Sequence, residues 1–259
     1  VDCKEAPPPL ACGPGRTMSI IPLYRVDTPH PQAQACAACS VRGQSLFGAL
    51  DRAGLDYIHA SIDSIRLQPG KTLFEAGVRG AVLYTLREGI VRFERVTERG
   101  DRRIVRLAGR GDLIGQEVLL RRPYADDAVA CTPAQLCRIP AHLVDGLCSQ
   151  NPALVRELML RWQRALEDSE AWLAELATGP ARRRVLRLLH KLMAHTEADG
   201  RIWLPQRDEI GAMLNLTFET ASRLISQFKR EGLIELPDLR HARIDGPALQ
   251  RALRVEDER

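Results

Sequence analysis

Arg207-Asp208-Glu209-Ile210-Gly211-Ala212-Met213-Leu214-Asn215-Leu216-Thr217-Phe218-Glu219-Thr220-Ala221-Ser222-Arg223-Leu224-Ile225 reads as two short helices joined by a sharp turn. Asn215 tolerates the left-handed backbone that such a turn needs. Thr217 offers a side-chain oxygen to cap the helix that follows. Gly211 lets the two helices approach closely, and Ile210, Leu214, Leu216, Ala221, Leu224, Ile225 and Phe228 form the apolar faces that lock their angle. Phe218, Glu219, Ser222, Arg223 and Gln227 are left on the outer face. Glu219, Ser222 and Arg223 lie three and four apart, so they share one side of the second helix.

A helix that enters the major groove N-terminus first meets base edges with its first two turns. Arginine donates in bidentate fashion to guanine O6 and N7, while glutamate accepts from cytosine N4. The predicted reading set is therefore Glu219, Ser222 and Arg223, with Thr217 and Thr220 at the helix start. The competing reading is an ordinary helical hairpin with a surface ion pair; it leaves the cap, the turn and the outward pair as coincidences. Past this helix, Gly232-Leu233-Ile234-Glu235-Leu236 and Ala242-Arg243-Ile244-Asp245 read as two strands around a turn with Pro237-Asp238. A hairpin placed there is a wing, with Arg240, His241 and Arg243 expected at phosphate.

Working toward the N-terminus, an apolar-rich helix runs through Val185, Leu186, Leu188, Leu189, Leu192 and Met193, preceded by Arg182-Arg183-Arg184. That basic cluster suits a solvated helix start better than a phosphate clamp. Before it, Val155, Met159, Trp162, Leu166, Ser169, Leu173 and Leu176 follow a 4-3-4-3 spacing on one long helix ending near Gly179-Pro180. Such a seam implies a partner helix. A homodimer is the expected user, and packing on the chain's own β domain is the alternative.

From Ile62 to Pro140, brief apolar runs alternate with glycines at 77, 89, 100 and 109, the pattern of antiparallel strands closing into a roll. Residues 1–35 carry Pro7-Pro8-Pro9, Gly13-Pro14-Gly15 and His30-Pro31 and are expected to form a flexible arm. The predicted organisation is α+β: an arm at 1–35, a sensory β-roll at 36–150, a dimerisation helix at 151–178 and a winged helix-turn-helix at 179–259.

Composition narrows the function classes. The 259 residues carry a formal net charge of +4, too mild to establish nucleic-acid binding without the local features above. No run of 18 apolar residues could span a bilayer, and the segment before Cys36 lacks a secretory pattern, so a cytoplasmic protein with no membrane partner is expected. Seven cysteines suit a disulfide framework poorly, and only Cys36 and Cys39 form a tight pair. A start at Met18 would remove Cys3 and Cys12, which therefore carry little weight. With no Ser/His/Asp arrangement, Walker loop or metal-hydrolase helix, no catalysis is expected.

Gln68-Pro69-Gly70-Lys71-Thr72-Leu73-Phe74-Glu75-Ala76-Gly77, Ala108-Gly109-Arg110-Gly111-Asp112-Leu113-Ile114-Gly115 and Leu216 to Leu224 together resemble the Crp/Fnr family of transcription regulators, over about residues 36–250. The resemblance implies a cyclic-nucleotide-binding-like roll and a homodimer on double-stranded DNA, with RNA polymerase as a further partner if the protein activates. Glu219-x-x-Ser222-Arg223 resembles the Fnr-type reading head, which implies a TTGA half-site and its inverted copy. Where relatives hold a cyclic nucleotide phosphate with an Arg-Ser pair, this chain has Asp126-Asp127, so cyclic AMP is disfavoured by like charge. Fnr-type proteins hold a [4Fe-4S] cluster on four cysteines. Cys36, Cys39 and Cys137 resemble three of those ligands, while the remaining place falls on Ser45 or Phe47. Neither replaces a thiolate well, and Cys131, Cys148 or Cys12 would have to complete the set. A Cys36–Cys39 thiol switch, haem or another effector, and vestigial cysteines stay open, as do a dithiol redox protein and a cyclic-nucleotide-binding regulator.

Overall fold

The computed structural model describes residues 61–258 together with 39, 41, 43, 46–50, 58 and 59. The predicted arm at 1–35 lies outside them. Eight strands build the roll: β1 (Asp63–Leu67), β2 (Thr72–Phe74), β3 (Val82–Glu88), β4 (Val91–Val96), β5 (Arg102–Ala108), β6 (Leu113–Ile114), β7 (Asp127–Ala130) and β8 (Ala134–Pro140). They form two four-stranded antiparallel sheets, ordered β1-β8-β3-β6 and β2-β7-β4-β5. The period-2 alternation of β3 shows how one strand serves two cores. Tyr84 and Leu86 point between the sheets against Phe93 and Leu136, while Leu83 packs outward with Leu143, Leu154 and Leu158 of the helices. At the β3–β4 turn Gly89 has φ +92°, and a Cβ there would lie 2.5 Å from the Pro133 carbonyl oxygen, so only glycine fits.

Helix α1 (Ala141–Gln150) leads into α2 (Pro152–Leu176), whose 25 residues span roughly 37 Å. Asn151 caps α2 by accepting from the Ala153 amide at 3.0 Å, and Pro152 fills the first position, where no amide donor is needed. Two stripes run along this helix. Leu154, Leu158, Trp172 and Leu176 are buried against the chain's own cores, whereas Val155, Met159, Leu166 and Leu173 are exposed, with Trp162 and Ser169 half-buried beside them.

The sequence placed Leu176 in the outward seam, and the structure corrects that: Leu176 is fully buried with Val185, Leu186 and Leu189. In a straight helix a seven-residue repeat drifts by about 20° per heptad. Three heptads after Val155, position 176 has therefore turned to the side of Leu158, which faces inward.

After Gly179 (φ +86°) and Pro180 come α3 (Ala181–Leu192), β9 (Ile202–Trp203), α4 (Arg207–Leu214), α5 (Phe218–Arg230), β10 (Ile234–Glu235), β11 (His241–Ile244) and α6 (Gly246–Asp257). The wing is a three-stranded sheet ordered β10-β11-β9. The expected two-stranded hairpin is there, and β9 adds the outer strand through His241–Trp203 and Ala242–Ile202 pairs. The three arginines opening α3 are tied to the chain itself. Arg182 meets Glu231 at 2.7 Å and Glu256 at 3.2 Å, Arg183 meets Asp257 at 2.8 Å, and Arg184 donates to the Leu214 carbonyl oxygen.

Candidate nucleic-acid interface

Helix α4 begins with a reciprocal cap: Glu209 Oε2 accepts from the Gln206 amide at 2.6 Å, and the Gln206 side chain accepts from the backbone of Glu209. It ends at Asn215, whose backbone is left-handed (φ 55°, ψ 52°) as the turn requires. A Cβ on Gly211 would lie 2.6 Å from the Leu216 carbonyl oxygen, so the close approach of turn and helix depends on that glycine. Thr217 then caps α5, accepting from the Thr220 amide at 3.3 Å, and the two threonine hydroxyls are 3.2 Å apart.

The inner face of α5 is dry. Ala221, Leu224, Ile225 and Phe228 are buried in one cluster with Leu186, Ile210 and Leu214, and the Arg182 guanidinium lies over the Phe228 ring, 4.9 Å from its centroid. This packing turns the remaining side outward. Glu219 and Arg223 are exposed and Ser222 is half-buried on the edge between them, while Phe218 is 57% exposed at the first turn. Glu219 is held below the ordinary carboxylate range by its own backbone amide and the Thr217 hydroxyl. It is therefore an ionised hydrogen-bond acceptor at neutral pH. Thr217 and Thr220 are brought to the same end of the helix, engaged with each other in the cap.

On the wing, Arg243 is exposed, and Arg240 turns back toward α4, where its Nη1 donates to Glu209 Oε2 at 2.8 Å. His241 Nδ1 is 2.9 Å from both Asp238 carboxylate oxygens. Sequence reasoning missed the Arg240 contact because nothing local in residues 237–243 points back to α4. A turned, capped, glycine-tight helix pair with an outward Glu-Ser-Arg edge and a flanking three-stranded wing is a helix-turn-helix built to present α5.

Comparison with known proteins agrees. Residues 64–151 match the cyclic nucleotide-binding domain family and residues 183–252 the Crp-like helix-turn-helix domain family. Over 211 residues the chain is 31% identical to the transcriptional activator protein FnrA of Stutzerimonas stutzeri, covering 79% of this chain and 86% of that protein. The chain belongs to the Crp/Fnr family. Another family relative, the fumarate and nitrate reduction regulatory protein of Vibrio cholerae, is 26% identical over 78% of this chain and 83% of its own length. Among solved structures, a CRP-family transcriptional regulator of Thermus thermophilus is similar with a TM-score of 0.63 at 25% identity, covering 73% of this chain and 96% of that one. FixK2 of Bradyrhizobium japonicum shares the fold with a TM-score of 0.67 at 21% identity, over 73% and 96%. This Crp/Fnr chain is thus a transcription regulator with a DNA-binding helix-turn-helix.

The candidate cluster ligands are described in part. Cys36 lies outside the described residues, as do Cys12 and Ser45. Cys39 is half-buried, and Cys137 is half-buried on β8, in register with Ser64 of β1 and Thr85 of β3. Among the described residues no three histidine, cysteine or acidic side chains come together as a metal site. Phe47, one of the two positions expected to replace a cluster ligand, is buried with Leu143 and Leu154 in the core between the roll and the helices. Cys131 lies in the core shared with the helix-turn-helix, and burial pushes its thiol up to about 12, so it is no thiolate. Burial also raises the Cys148 thiol. Of the expected cluster ligands Cys36, Cys39 and Cys137, only Cys39 and Cys137 lie among the described residues.

The two adjacent aspartates between Arg121 and Ala128 are both engaged within the chain. Asp126 accepts from Arg95 Nε at 2.7 Å and Asp127 from the Ala76 amide at 2.6 Å. Beside this loop a cleft of about 550 Å³ opens between the roll and α2, lined by Arg106, Glu117, Trp162 and Trp172 among others. Arg106 stacks on Phe93, 3.9 Å from the ring centroid. No described helix is long and apolar enough to cross a membrane.

Proposed function

We propose that the protein works as a homodimer that reads a TTGA-type inverted repeat, one half-site per subunit, and that a signal received through the roll controls this reading. The outward Glu219-Ser222-Arg223 edge of α5 carries the proposal. Arg223 donates to guanine, Glu219 accepts from cytosine, and Ser222 fills the edge between them. Thr217 and Thr220 hold the first turn in shape for that approach. The exposed stripe of Val155, Met159, Leu166 and Leu173, with Trp162 and Ser169, supports dimerisation, because a second copy of α2 would cover it. Two copies of α5 would then meet successive major grooves about 34–36 Å apart.

The cleft between roll and α2 supports entry of the signal there, since whatever fills or reshapes it presses on the seam helix. Asp126 and Asp127 argue against a cyclic nucleotide phosphate as that signal. RNA polymerase would be the further partner of an activator. The test is Arg223→Ala in a binding titration. Affinity for a duplex with the inverted repeat should fall by about 1–3 kcal/mol, with choice at the guanine relaxed. Equal loss on scrambled DNA would defeat the assignment.

A further inference from the structure

Helix α4 is gripped from outside its own unit. Arg92 of β4 sends Nη1 to Glu209 Oε1 at 3.0 Å across 117 residues of chain, and its Nε meets Glu94 Oε1 at 2.5 Å. Arg92 is 8% exposed and Glu209 3%. The other Glu209 oxygen takes Arg240 and the Gln206 amide, so one buried carboxylate joins the roll, the wing and the start of α4. On the paired strand β5, Arg102 reaches Asp208 at 3.2 Å and Arg103 reaches the Asn215 side-chain oxygen at 2.5 Å. The β4–β5 hairpin thereby holds α4 at both ends. Ile90, Ile104 and Cys131 of the roll extend the same apolar cluster as Ile210 and Met213.

The covalent link between α2 and α3 is short and contains Gly179 in a left-handed conformation. Such a link fixes distance and leaves direction to other contacts. We infer that Arg92 is a positioning residue for DNA reading: acting through Glu209, it sets the direction in which α4, and with it α5, leaves the roll. Movement of the β4–β5 hairpin therefore reaches the recognition helix directly, in parallel with any route through α2. A buried charge without its partner is strongly disfavoured, so this contact is either made or fully opened to water.

The experiment uses the full chain and two duplexes, one with an inverted pair of TTGA half-sites and one with a single half-site, and so rests on the reading proposed above. Arg92→Met should lower affinity for the paired duplex by about 5- to 150-fold, leave single-site binding unchanged, and be largely restored in Arg92→Lys. The double variant Arg102→Ala/Arg103→Ala, at one exposed and one half-buried position outside the buried core of the roll, should show a smaller loss of the same kind. Equal loss on both duplexes, or none, would overturn the inference. A second readout needs no DNA: limited proteolysis at residues 177–180 should speed up in Arg92→Met and in the double variant, and unchanged cleavage would also overturn it. Failure of the unaltered protein to prefer the paired duplex would instead count against the half-site reading.

Discussion

The first turn of α5 and the 121–128 loop of the roll are both short and charged, and they use their charges in opposite ways. On α5 the Glu219 and Arg223 side chains stand in solvent above a floor of buried Ala221, Leu224, Ile225 and Phe228. In the loop, Asp126 and Asp127 are already occupied by Arg95 and the Ala76 amide. The first set is braced at the helix start yet left open to solvent; the second is closed on the fold itself. In this chain the Asp126 and Asp127 carboxylates are engaged within the fold, while the Glu219 and Arg223 side chains remain exposed.

That contrast can be broken or sharpened at four places. The floor beneath the reading edge matters most. Phe228→Ala should cost about 3–5 kcal/mol of stability, read as a lowered midpoint in chemical denaturation, with DNA affinity lost as α5 loosens. Next comes the outward stripe of α2. Leu166→Asp should weaken self-association by about 2–3 kcal/mol per copy, visible in sedimentation equilibrium, without lowering the stability of the separated subunit. A smaller effect is expected at the cap, where Thr217→Ala should cost about 1 kcal/mol, with amide exchange rising in residues 218–221. Least is expected from Asp126→Asn, because its partner Arg95 is 57% exposed and such pairs contribute only about 0–1 kcal/mol. A large loss there would show that the loop is more than structural.

How much of this was readable in the sequence depended on range. The turn at Asn215, the close approach at Gly211 and the Thr217 cap are set by residues within a few positions of one another, so the helix-turn-helix and its outward edge could be derived from the letters. The outward-facing stripe of α2 was legible except at Leu176, where helical drift over three heptads outran a fixed seven-residue count. The short strand β9 and the final helix α6 escaped, the first because two residues give no periodicity. The Arg240–Glu209 contact spans 31 residues and lay beyond local reading. The Arg92–Glu209 pair could not have been read at all, because either residue alone looks like ordinary surface charge. At the roll, only Cys39 and Cys137 of the expected ligand set lie among the described residues.

The two-sided character of α2 carries a consequence for how such a regulator behaves in a cell. If the uncovered side is closed by another copy of the chain, occupancy of an operator rises with the square of subunit abundance while subunits are scarce, and the level of synthesis itself becomes an input to the genetic response.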